Sequence, residues 1–222
     1  MSMLGASPPP TVAKQVPSWK LLALMTGGGA IAGLLIVTSY QATLPRIERH
    51  KDEVLRSAVH EVLKAPRSFD TLYLDGGTLT RSLPPGVSAK NLEKIYLGYD
   101  ASGKRLGFAV SATENGFQDP VTVMFGYDAA ARTVIAMKVI SNKETPGLGD
   151  KIVKDSVFVN DFRAAAAPLS GVKKGTVTER SNDIVMITGA TISSRAVIRI
   201  INNAIARWQP LMDAYHGEER AP

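Results

Sequence analysis

The 222-residue sequence contains no cysteine. Disulfides, thiolate-ligated iron–sulfur clusters, cysteine-based zinc sites and a lipid-modified cysteine are thereby excluded. Histidine is almost as scarce. His50, His60 and His216 are the only imidazoles and do not have the spacing of a ligand set, so no metal site is expected. No Gly-x-Gly-x-x-Gly element follows a strand, which argues against a dinucleotide-binding fingerprint. The formal net charge is +6, yet Lys and Arg are scattered, without a basic helix or interleaved aromatics. The clustered footprint of a nucleic-acid-binding protein is missing, and no nucleic-acid partner is expected. There are no internal repeats or heptads, and no catalytic side-chain set is assigned.

What is present suits a packed domain with an appendage. Hydrophobic residues make up 45% and charged residues 21% of the chain, enough apolar content for a core. Residues 1–19 hold Pro8-Pro9-Pro10 and no acid, and read as an extended tail. Residues 21–44 carry no charge at all. As a helix they span roughly 36 Å, against a hydrocarbon core of about 30 Å. A transmembrane helix over 20–44 is therefore predicted. The competing reading is a cleaved signal peptide, but its best site would end at Ala42 and place Tyr40 where a small residue belongs. Lys14 and Lys20, with no opposing acid, put the N-terminus on the cytoplasmic side and the larger C-terminal part outside the cytoplasm. Gly29 and Gly33 have the spacing of a close helix–helix contact in lipid; glycine is also simply frequent in such helices.

Pro45 can open a new helix. Ile47, Val54, Leu55, Ala58, Val59, Val62 and Leu63 then share one face, so 45–66 reads as an amphipathic connector. Apolar and β-branched runs over 72–74, 95–99, 106–111, 121–127 and 133–140, separated by turn signals, predict an antiparallel meander. Residues 150–167 read as a helix, 171–182 as a polar loop or hairpin, and 184–186 as a short apolar segment. A closing helix runs to about Trp208, where Pro210 is expected to stop it. Strands followed by helices give an α+β domain over 67–210, with a polar tail over 211–222.

Two stretches in this domain carry chemistry. The first is Glu144-Thr145-Pro146-Gly147-Leu148-Gly149, flanked by Lys143 and Lys151. Glycines there permit left-handed turns and expose amides to a ligand; an ordinary strand-to-helix turn has the same composition. The second is Thr188-Gly189-Ala190-Thr191-Ile192-Ser193-Ser194. Thr188 is a candidate N-cap, and Ala196, Val197, Ile200, Ile201, Ala204 and Ile205 recur at helical spacing beyond it. The first turn then holds hydroxyls at Thr191, Ser193 and Ser194, where free amides and the helix dipole favour a phosphate. An ordinary capped helix fits these residues equally.

One membrane helix, a sheet-rich region, ETPGLG and then TGATISS opening the last helix, taken in that order, resemble the G-subunit family of Rnf-type electron transport complexes. The pattern is also similar to the C subunits of Na⁺-translocating NADH:quinone oxidoreductases. The compact domain favours the Rnf-type relative. The resemblance implies an FMN-binding domain in a bacterial inner-membrane complex that couples ferredoxin/NAD electron transfer to ion movement. It implies FMN bound covalently by a phosphodiester to Thr191, attached by a separate flavin transferase. Thr188, Gly189, Ala190, Ile192 and Ser193 would surround the phosphate end. Glu144, Thr145, Gly147 and Leu148 would contact the flavin ring. Charge alone adds Lys151 near the phosphate. Implied partners are the remaining members of the complex, the transferase and membrane lipid, with no complete turnover by this chain alone. Residues 115–120 replace a Gly-Tyr-Gly-Gly-like turn of relatives, so a flavin-facing turn of altered shape is expected. Two other readings keep the fold: a flavin-free anchored assembly module, and a lone flavoprotein serving an extracytoplasmic reductase.

Overall fold

The computed structural model describes residues 17–83, 87–88, 92–176 and 180–216. The expected N-terminal tail up to residue 16, residues 177–179 of the expected loop and the end of the C-terminal tail from residue 217 lie outside the described residues. The chain divides into two units, one up to Lys51 and one from Asp52 onward.

In the first unit, residues 18–51 belong to α1 (Ser18–Val62), a single 45-residue helix with Pro45 inside it. The expected span and connector are thus one uninterrupted helix. Proline removes one amide donor, and Pro45 does so without ending the helix. It is the one helix among the described residues long and apolar enough to cross a membrane. Leu22, Leu24, Met25, Leu34 and Ile36 are exposed along it.

The second unit is built on a seven-stranded antiparallel sheet. Its strands are β1 (Ser68–Asp75), β2 (Thr78–Thr80), β3 (Lys94–Tyr99), β4 (Arg105–Asn115), β5 (Pro120–Asp128), β6 (Thr133–Ser141) and β7 (Ala165–Ala166). Their order across the sheet is β2-β1-β3-β4-β5-β6-β7, so β3 to β6 form the expected meander. Alternation along the strands sorts two cores onto opposite faces. Ile95, Leu97 and Tyr99 of β3, Phe108 and Val110 of β4, and Val121, Val123 and Phe125 of β5 point to one side. Tyr96, Ala109 and Met124 point to the other, where Ala58, Val59 and Val62 of α1 and the following Leu63 cover them. A side chain at Gly98 would strike Leu63 Cδ1 at 2.6 Å, so glycine there lets the helix end approach.

The larger core is closed by α4 (Thr191–Asp213), whose buried residues include Val197, Ile200, Ile201, Ala204 and Trp208. Here the structure corrects the expected stop. The helix runs through Pro210, because Gln209 and Met212 beyond Trp208 are also buried and packing holds the last turn. The expected helix over 150–167 is two short ones, α2 (Lys151–Lys154) and α3 (Ser156–Asp161). Asp155 divides them by accepting the amides of Val157 and Phe158, an N-cap that starts a new helix. The chain then turns into β7. The expected loop or hairpin over 171–182 begins instead with β8 (Ser170–Lys173), which pairs in parallel with β9 (Asp183–Met186). Four residues with a glycine and a lysine among them give too little pattern to read as a strand.

Candidate functional site

The two chemistry-bearing stretches meet at one end of the sheet. Residues 187–190 make a turn closed by the Ala190 amide on the Ile187 carbonyl (3.0 Å), with Gly189 at φ +84°. The N-cap of α4 is Ala190, not the expected Thr188, and no side chain caps the helix there. The turn places Thr188 two residues before the cap, outside the helix. The first turn of α4 is therefore short of amide acceptors, which favours an anion at that point.

The three hydroxyls of this turn differ in what they do. Ser194 donates to the Ala190 carbonyl (2.9 Å) and accepts the Ile187 amide (3.2 Å). Ser193 is buried and donates to Glu144 Oε2 (2.9 Å). Thr191, half-buried, is the one of the three that makes no hydrogen bond among the described residues. It lines a groove of about 360 Å³. One wall is Gly189, Ala190, Thr191, Ile192 and Ser193 of the α4 start; the other is Thr145, Leu148 and Gly149 of the 144–149 loop, with Phe117 from the β4–β5 hairpin tip. No lining residue is charged. Phe117, Leu148 and Ile192 are large apolar side chains held more than half exposed at its rim, which suits a flat aromatic ligand with a polar tail.

Glu144 is not in the groove wall. It is 4% exposed and lies behind it. Its Oε1 accepts the amides of Phe117 (2.8 Å) and Gln118 (3.3 Å), while Oε2 takes the Ser193 hydroxyl. Thr145 adds a bond from its hydroxyl to Gln118 Oε1 (3.0 Å). Gly147 has φ +77° and open space around its Cα, as its place in the tip of the loop requires. Gly149 is not left-handed; it is a glycine because a side chain would strike Glu144 Oε2 at 2.5 Å.

Of the residues expected to hold the cofactor, Thr191, Gly189, Ala190, Ile192, Ser193, Thr145 and Leu148 line the groove. Glu144 and Gly147 do not. Lys151 and Thr188 line a separate cleft of about 310 Å³, with Lys174, Val185 and Phe158. Lys151, expected near the phosphate on charge alone, stands at the start of α2 beside Thr188 in that neighbouring cleft. Two wall residues were absent from the expected set, Phe117 and Gly149. Phe117 lies in the 115–120 turn that the resemblance marks as flavin-facing, where it is the lone aromatic. Beside the loop, the Asp150 carboxyl is held below the usual carboxylate range by the hydrogen bond from Lys154, against an opposing effect of burial.

A family model described as an FMN-binding domain matches residues 116–206, the span from the hairpin tip to the middle of α4 and beyond. The crystal structure of Shewanella oneidensis NqrC superposes with a TM-score of 0.63 over 76% of this chain and 100% of that one, at 17% identity, and so shares the fold. The G subunit of the ion-translocating oxidoreductase complex of Aliivibrio fischeri (strain MJ11) is 29% identical over 179 residues, 79% of this chain and 83% of its own. The G subunit of the Na(+)-translocating ferredoxin:NAD(+) oxidoreductase complex of Acetobacterium woodii is 30% identical over 184 residues, covering 82% of this chain and 87% of that protein. With a shared fold, a matching cofactor-domain model and similarity over most of both chains, this protein belongs to the G-subunit family of ion-translocating oxidoreductase complexes.

Proposed function

We propose that the chain is an electron-transfer subunit anchored in the membrane by α1, carrying FMN through a phosphodiester to Thr191. The observation that carries this reading is the state of the first turn of α4. Its Thr191 hydroxyl is unpaired among the described residues, lies in the groove wall and sits where uncapped amides favour a phosphate. The walls fit the rest of the molecule. Leu148, Ile192 and Phe117 offer apolar surface to a ring system, and Gly189 and Ala190 leave room for close approach. Bound FMN supplies the electron exchange, and the chain supplies placement and surroundings. Ser193 and Ser194 are buried, and each hydroxyl is engaged in its own hydrogen bond, which leaves Thr191 as the hydroxyl offered to the groove.

Within this reading, the partners are the remaining members of the complex, a flavin transferase and lipid around residues 21–44. The N-terminus is cytoplasmic and the sheet domain lies on the opposite side of the membrane. The test of attachment is in-gel flavin fluorescence after denaturing electrophoresis, with the chain co-expressed with a flavin transferase beside Thr191→Val. A fluorescent wild-type band and a dark variant band are expected, with intact mass showing one added FMN. A dark wild-type band, while a control protein is flavinylated, overturns the reading and leaves a flavin-free module of the same fold. Sidedness is open to a clean test because the chain has no cysteine. Thr113→Cys should react with a membrane-impermeant maleimide in spheroplasts without lysis.

A further inference from the structure

We propose that Glu144 is a positioning residue that clamps the two walls of the flavin groove to each other from behind, without touching the flavin. The inference rests on the groove being the FMN site and adds the device that holds its shape. Burying a carboxylate is costly unless its oxygens are met by donors. Here the donors come from both sides. The hairpin tip gives two backbone amides, Phe117 and Gln118, to Oε1; α4 gives the Ser193 hydroxyl to Oε2. The carboxylate belongs to the third element, the 144–149 loop.

Packing makes the same point independently of the hydrogen bonds. A side chain at Gly116 would meet Glu144 Oε1, and one at Gly149 would meet Oε2 and the Glu144 Cβ. Neither glycine has a left-handed backbone, so space and not torsion requires them. Two glycines from two segments thus flank one carboxylate. The residues it ties down are the ones whose neighbours form the groove: Phe117 on the hairpin side, Thr191 and Ile192 just ahead of Ser193. Removing the carboxylate leaves the buried Ser193 hydroxyl without its acceptor, takes the shared acceptor from the amides of the hairpin tip, and frees the walls to separate.

The experiment uses the full chain in detergent, with Glu144→Ala, Glu144→Gln and Ser193→Ala. Hydrogen exchange is read on the flavin-free chain and time-resolved flavin anisotropy on the loaded one. Glu144→Ala should speed exchange at Phe117 and Gln118 about tenfold, with β3 and β5 unchanged, the effect expected of losing one net hydrogen bond locally. It should also let the attached flavin wobble, seen as a faster anisotropy decay. Glu144→Gln keeps an acceptor for both amides and should restore both readings close to wild type. Unchanged exchange at 117–118 in Glu144→Ala, or a Gln variant as loose as the Ala variant, overturns the proposal. If Glu144→Ala does not fold, Ser193→Ala decides, since it opens only the α4 arm; a folded Ser193→Ala with wild-type anisotropy overturns it. A wild-type chain that takes up no flavin would refute the FMN reading while the exchange arm still judged the clamp.

Discussion

The two faces of the sheet are held by different physics. On one, the end of α1 packs on Tyr96, Ala109 and Met124 through Ala58, Val59, Val62 and Leu63, a cluster built of hydrophobic side chains. On the other, α4 closes a larger apolar core, but its first turn is tied to the hairpin tip through a buried carboxylate. The first arrangement fixes the last turns of α1 on the sheet through apolar contacts. The second leaves an uncapped helix start and a groove beside it. The lesson is that the polar end of a core is where a fold can hold a cofactor, because hydrogen bonds specify wall positions that apolar packing alone leaves adjustable.

The largest effect that would sharpen this contrast is Leu63→Ala. It should cost about 2–5 kcal/mol in thermal or denaturant unfolding, yet leave in-gel flavin fluorescence per folded chain unchanged. Loss of flavin in that variant would break the separation of the two faces. Next comes alkaline unfolding. Burial, with smaller help from Tyr73 and Asp52, pushes the Tyr96 phenol up to about 12. The unfolded phenol loses its proton near pH 10, so the folded chain holds the extra proton between the two values. Stability should fall by roughly 2–3 kcal/mol as pH rises across that window. Tyr96→Phe should flatten the fall, with a remainder from Tyr99 and Tyr127, which burial also raises.

On the site face, Gly149→Ala should destabilise by about 1–3 kcal/mol and also lower flavin loading, because the new methyl meets the Glu144 carboxylate. A stability loss with full loading would show that the clamp and the groove are independent. The smallest effect belongs to the ion pair between Lys138 and Glu61 (2.6 Å), which joins β6 to the last turns of α1 in partly exposed surroundings. Lys138→Ala should change stability by about 0.2–1 kcal/mol and become silent in high salt.

Much of this was legible in the chain. Alternating apolar residues over 95–99, 106–111, 121–127 and 133–140 mark the four central strands, and the spacing of Ala196 to Ile205 marks α4. Short elements were not legible. β7 and β8 are two and four residues long and are strands only because β6 and β9 lie beside them. The end of α4 was misread, since the local preference of Pro210 is outweighed by burial of Gln209 and Met212. At the site, the motif singled out Thr191, Leu148 and Ile192, which line the groove, and Glu144, whose carboxylate turns back from it. A glutamate in a glycine-rich loop looks the same in sequence whether its carboxylate points out to a ligand or back into the protein. Lys151, singled out by charge, lines the neighbouring cleft with Thr188.

By itself the sequence determined which segments are the long strands, which helix is apolar enough to span a membrane, and which hydroxyl-rich turn begins α4. These follow from periodicity, charge and local composition, all short-range properties of the chain. Only the tertiary structure decided that the hairpin tip at 116–118 meets the 144–149 loop and α4, that Glu144 turns inward between Gly116 and Gly149, and that Thr191 alone of its turn's hydroxyls is left free among the described residues. Those outcomes depend on where a side chain finds donors from segments 26 to 49 residues away in sequence, which no local pattern encodes.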